Sequence, residues 1–176
     1  MSGIQYVKGD ATCPQGTDVR IICHICNDIG SWGKGFVLAI SKRWKSPEAE
    51  FRNWHASGLD GGFALGAVQF VPVEPSIWIA NLVGQHGIKR NRSGPPIRYE
   101  AVAAGLAQIA VKASELGASV HMPRIGCGLA GGDWSQIEPL IQQHLIAAGV
   151  PVSVYDFDES QAPPQDASVG WIPGGN

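Results

Sequence analysis

Apolar positions along the chain follow two different periods, and the switches between them mark the elements. Residues 4–8 alternate as a strand does and stop at Gly9-Asp10. Residues 19–25, Val-Arg-Ile-Ile-Cys-His-Ile, are nearly continuous in apolar character, which suits a central strand covered on both faces. Helical character follows over residues 37–44 and again over 47–57, where Pro47 falls in the first turn. Strand character returns over 65–73 and 77–83, separated by the turn Glu74-Pro75-Ser76. A long alanine-rich helix is predicted over 99–116, with Val102, Leu106, Ile109, Ala113 and Leu116 at helical spacing and Gly117 as its stop. A strand over 119–122, a helix over 134–148 ended by Gly149, and a strand over 150–157 complete the pattern. Strands alternating with helices predict an α/β protein with helices on both faces of a mostly parallel sheet.

Two strand-to-helix connections are rich in glycine: residues 26–36 and residues 123–132. Glycine allows positive φ and close approach of the backbone to a ligand, and the N–H groups of such a turn can converge on an anion. The same glycines also serve turn geometry alone, so the loops by themselves leave both readings open. Neither loop carries the dinucleotide fingerprint G-x-G-x-x-G in its usual setting, and neither ends in Gly-Lys-Ser/Thr, so any phosphate is held mainly by backbone. Asn27 and Asp28 stand at the carboxyl end of the buried strand, the edge where open α/β sheets bind ligands. Trp32 and Phe36 either wall a ring or pack on the core. Asp10, just past a strand end, either reads a ligand N–H or caps a turn. His24 acts as acid or base only if it faces the cleft; otherwise it is a core residue.

Composition narrows the classes. The 176 residues suit one folded domain, and a formal charge of −2 argues against a generic nucleic-acid binder. Basic residues are densest around Lys89, Arg90, Arg92 and Arg98, in a loop that also reads as ordinary solvated surface. No apolar run approaches the length of a membrane span, and no signal peptide is legible, so the expectation is a cytoplasmic protein. Cys23 and Cys26 form one C-x-x-C without a second pair, and His24, His55, His86, His121 and His144 show no ligand spacing; no metal and no cofactor are expected. The domain is expected over residues 1–158. A tail rich in Pro, Gly, Ser, Gln and Asp is expected over 159–176.

Five segments carry a resemblance. Tyr6-Val-Lys-Gly-Asp-Ala-Thr, the strand ending in Cys26-Asn27, Gly30-Ser-Trp-Gly-Lys-Gly-Phe, Met122-Pro-Arg-Ile-Gly-Cys-Gly-Leu and Val154-Tyr-Asp occur in the order seen in macrodomains. The chain resembles that family from about residue 4 to 157, most of all the branch holding the terminal ADP-ribose protein glycohydrolases. It is similar also to the fungal ADP-ribose-1″-phosphate phosphatases, through His24-x-Cys26-Asn27 and Gly-Ser-Trp-Gly. The resemblance implies a three-layer α/β/α fold with a central mixed, mostly parallel sheet, and a monomer that binds ADP-ribose at the sheet's carboxyl edge. Asp10 would accept from the adenine amino group, flanked by Gly9 and Ala11. The diphosphate and distal ribose would lie between Trp32, Gly33, Lys34, Gly35 and Phe36 on one side and Arg124, Ile125, Gly126, Cys127, Gly128, Leu129 and Ala130 on the other. Tyr155 or Phe157 would pack on adenine. The branch's lysine nucleophile falls at Gln85 and its aspartate at Ala130, so a lysine adduct is not expected. The resemblance implies hydrolysis of an ADP-ribosyl linkage on protein or nucleic acid by a positioned water, with Gln85, Asp28, Asn27 and His24 as catalytic candidates. A 1″-phosphate phosphatase or a non-catalytic ADP-ribose reader are the alternatives.

Overall fold

Strand β2 (Arg20–Asn27) is buried at every position after Arg20, as its unbroken apolar run requires. The computed structural model describes residues 3–157, and the expected tail over 159–176 lies outside them. Around β2 the sheet is completed by β1 (Gln5–Lys8), β3 (Val68–Glu74), β4 (Ile77–Gln85), β5 (Ser119–Met122) and β6 (Val152–Asp156), in the spatial order β1-β6-β5-β2-β4-β3. Every neighbouring pair is parallel except β3 with β4, which form an antiparallel hairpin at one edge. Pro72 lies in β3, an edge strand, where a missing N–H costs no ladder bond.

Helices α1 (Phe36–Arg43) and α2 (Ser46–Ser57) cover one face. Helices α3 (Tyr99–Leu116) and α4 (Trp134–Ile141) cover the other. The result is a three-layer α/β/α fold with a mixed sheet. Alternation along β2 divides its side chains between two cores. Ile21, Cys23 and Ile25 join α3 and α4, while Ile22 and Cys26 join α1 and α2. Cys23 and Cys26 therefore lie on opposite faces as free thiols, and burial pushes the Cys23 thiol up to about 12. Gly117 caps α3 at φ 62°, the left-handed stop its position predicts.

Several boundaries differ from the expected ones. The helix predicted over 134–148 contains Pro139; α4 ends at Ile141 and a wider π turn, Gln142–Ile146, carries the chain on. Strand β3 starts three residues later than predicted, because Gly66 turns the chain at φ 90°. Strand β4 runs on to Gln85, so Gln85 sits on a strand end rather than in a loop. Among the described residues no helix is long and apolar enough to cross a membrane.

Candidate functional site

Five parallel strands deliver their carboxyl ends to one edge of the sheet. Asp10, Asn27, Gln85, the 123–132 loop and Phe157 follow those ends and therefore share that edge. A cleft of about 300 Å³ opens there. Its apolar floor is Ile25, Cys26 and Val37, and its polar lining comprises Asn27, Ser31, Lys34, Gln85 and Lys89. Two lysines and no carboxylate line it, which favours an anion.

Asp10 is 4% exposed. Its Oδ1 accepts from the backbone N–H and the hydroxyl of Thr12, each at 2.8 Å. Its Oδ2 is buried and has no hydrogen-bond partner among the described residues. A buried carboxylate oxygen without a donor is costly, and a ligand N–H is the chemistry that satisfies it.

The first glycine loop is tied by the side chain of Asn27. Its Oδ1 accepts from Ile29 and Ser31 N–H at 3.1 and 3.0 Å, and its Nδ2 donates to Ser31 O at 2.8 Å. Gly30 and Gly35 take φ 75° and 78°, a region side chains resist. This leaves the N–H groups of Gly33, Lys34 and Gly35, at the start of α1, without an acceptor among the described residues. The second loop closes on itself through Gly132 N–H to Gly126 O (2.7 Å) and Gly131 N–H to Gly128 O (3.1 Å). Gly126 sits at φ 75°, and a Cβ there would come within 2.8 Å of Ile97. Gly128, Leu129 and Ala130 keep N–H groups with no acceptor among the described residues. Two sets of unspent N–H groups thus sit on the two loops, the arrangement that cradles a diphosphate.

Arg124 fastens the second loop. Its Nε and Nη2 donate to the two oxygens of Asp156 at 2.7 and 3.1 Å. The guanidinium also lies 5.1 Å from the ring centres of both Tyr6 and Trp134. The hydrogen bond from Arg124 holds the Asp156 carboxyl below its usual range.

Several expected contacts take other places. Trp32 and Phe36, each 4% exposed, turn into the α1–α2 core, and Trp32 Nε1 donates to Ser41 Oγ at 2.8 Å. They brace the loop from behind and do not line the cleft. Ile125 and Ala130 are fully buried, whereas Leu129 is 58% exposed. Tyr155 is buried and its hydroxyl is spent: it accepts from Gln15 N–H (2.9 Å) and bonds His121 Nδ1 (2.7 Å). Of the two aromatics in that segment, Phe157 is the half-buried one. His24 is sealed in the core, edge-on to Trp32, with Nε2 donating to Asn81 Oδ1 at 2.5 Å. Burial lowers its pKa to about 4. A neutral, enclosed imidazole outside the cleft lining is a structural residue, and the condition for its acid–base role, facing the cleft, is not met.

Gln85 lines the cleft, its Nε2 donating to Gly87 O at 3.0 Å. Asp28 does not line it; the carboxylate turns to His86 Nδ1 (2.6 Å) and Gly87 N–H (2.8 Å). That pairing was hidden in the sequence, where Asp28 and His86 are far apart. The β2–β4 register, which sets Asn27 beside Gln85, is the feature that joins them. No group of three or more His, Cys, Asp or Glu side chains among the described residues is placed to hold a metal.

No model of a known protein family matches the chain. A macrodomain protein from Streptomyces coelicolor is 56% identical, with a TM-score of 0.79 over 87% of this chain and 98% of that one. The chain belongs to the macrodomain family. Among curated relatives, the mouse chromodomain-helicase-DNA-binding protein 1-like is 33% identical over 98% of this chain, but the chain spans only 20% of that protein's length. An ADP-ribose 1″-phosphate phosphatase from Meyerozyma guilliermondii is 26% identical over 86% of this chain and 99% of its own.

Proposed function

We propose that the chain binds ADP-ribose across the carboxyl edge of its sheet and hydrolyses an ADP-ribosyl linkage on protein or nucleic acid with a positioned water. The observation that carries the reading is Asp10 Oδ2, a buried acceptor awaiting a donor, on the same edge as two loops with unspent N–H groups. An adenine amino group suits the first and a diphosphate suits the second. Lys34 and Lys89 add the positive charge that a diphosphate ribose calls for. Gln85 and Ala130 stand where a lysine and an aspartate would, so water rather than a side chain attacks.

The phosphatase reading draws on the Meyerozyma guilliermondii relative, whose name gives ADP-ribose 1″-phosphate as its substrate. Calorimetry with ADP-ribose tests the binding half. Asp10→Ala is expected to weaken affinity by about 1–3 kcal/mol, the range for a lost buried hydrogen bond. Equal affinity in the two proteins removes Asp10 from the site, and no wild-type binding at millimolar ligand ends the reading. Incubation with an ADP-ribosylated glutamate peptide, an ADP-ribosylated oligonucleotide and ADP-ribose 1″-phosphate tests the catalytic half. Release of ADP-ribose from either macromolecule supports the hydrolase. Release from the 1″-phosphate alone supports the phosphatase, and binding without turnover leaves a reader module.

A further inference from the structure

The cleft lining lacks a group that could take a proton from water. It holds no carboxylate and no imidazole. The Asn27 side chain is spent on its own loop, and burial pushes the Cys26 thiol well above its usual range. One residue beyond Asn27 and Gln85, however, stand Asp28 and His86. The Asp28 backbone N–H donates to Gln85 O at 3.1 Å, and the His86 N–H donates to Pro96 O at 2.9 Å, so both backbones are anchored. The Asp28 carboxylate is fixed in turn by Gly87 N–H, leaving Oδ2 to receive His86 Nδ1 at 2.6 Å. With Nδ1 engaged, the remaining ring position is Nε2, which has no partner among the described residues on a side chain 56% exposed. The chain then returns to the cleft at Ile88 and Lys89. His86 therefore stands at the rim, between segments that line the cavity.

We propose that His86 is the proton acceptor for the attacking water and that Asp28 is the positioning residue that holds its tautomer; this rests on the hydrolase reading. Asp28 retains the proton on Nδ1 and stabilises the imidazolium, leaving the Nε2 lone pair for water. The water oxygen bonds to the ribose C1″, and the bond from C1″ to the acceptor oxygen breaks. Its electron pair leaves on that oxygen as a carboxylate or phosphate. The water proton passes to Nε2 and then to solvent, so the products are ADP-ribose, the freed acceptor and one proton. Of the charged groups nearby, Asp28 contacts the ring from the β2 side. Lys89 and Arg90 follow on its own loop, and Arg98 turns to the carbonyls of Pro95, Pro96 and Ile97.

The experiment measures kcat and KM for release of ADP-ribose from the substrate the wild type turns over, across pH, in wild type, His86→Gln and Asp28→Asn, with ADP-ribose affinity by calorimetry. His86→Gln is expected to lose about 100-fold or more in kcat, the scale of general-base help, with affinity within about twofold. Asp28→Asn is expected to lose less and to move the acid limb of the pH–rate profile to lower pH. Undiminished kcat in His86→Gln overturns the proposal, as does an Asp28→Asn profile that superimposes on wild type. A loss confined to KM also overturns it, assigning the pair to ligand holding. If wild type binds ADP-ribose and turns over nothing, the hydrolase reading fails and takes this inference with it.

Discussion

Two buried histidines are expected to make the fold sensitive to mild acid. His24 hydrogen bonds Asn81, whose amide in turn donates to Gln69 Oε1 at 3.1 Å, so His24 carries its proton on Nε2. His121 sits in a chain in which Tyr155 O–H donates to Nδ1, Nε2–H donates to Ser119 Oγ, and Ser119 O–H donates to Asp18 at 2.7 Å. A neutral ring completes both networks. Burial is the main cause that lowers each pKa from 6.5 to about 4. The unfolded chain binds the proton more tightly, so stability present above 6.5 is lost as pH falls through the window down to about 4. Each ring is worth up to ~3 kcal/mol over the full window and ~2 kcal/mol by about pH 5. Together they remove ~4 kcal/mol at about pH 5, a large share of an ordinary domain's 5–15 kcal/mol. Urea denaturation followed by tryptophan fluorescence at neutral pH and at about pH 5 measures this. His24→Gln keeps an amide donor for Asn81 and is expected to lose about half as much stability on acidification as wild type. A wild-type stability that is flat across the window, or a His24→Gln protein with the full acid sensitivity, refutes the reasoning.

The two loops give further tests. Arg124→Ala releases the second loop from Asp156 and is expected to weaken ADP-ribose binding by about 1–2 kcal/mol while lowering the melting temperature only slightly, because the pair is half exposed; unchanged affinity in calorimetry would mean that the loop holds its shape without the ion pair. Gly126→Val meets both a positive φ and the Ile97 side chain and is expected to cost about 1–3 kcal/mol of stability in urea titration as well as binding. Gly128 takes no positive φ, so Gly128→Val is expected to impair binding alone, and a matching loss of stability there would show that its surroundings are tighter than the loop geometry implies.

Much of this protein is legible in one dimension. The run in β2, the spacing in α3 and the glycine stops are local consequences of side-chain periodicity and backbone freedom, and they place α/β alternation without any tertiary information. The glycine loops and Asp10 are legible for the same reason, since strand ends and positive-φ residues mark the ligand edge of such a sheet. What periodicity leaves open is direction. Trp32 and Phe36 read equally as ring walls or as core, and burial against α1 and α2 decides for the core, while Tyr155, which the resemblance sets against adenine, is buried beside His121. His24 reads more readily as a core residue than as a catalyst, and Asn81, from a neighbouring strand, takes its Nε2. The pairing of Asp28 with His86 depends on the β2–β4 register, and the orphaned oxygen of Asp10 depends on which donors the folded loops leave over. Local patterning determines which segments are strands and where the chain turns, because those energies are settled within a few residues. Which polar atoms meet, and which stay unsatisfied, is a sum over contacts between segments far apart in the chain, and the packed structure alone decides it.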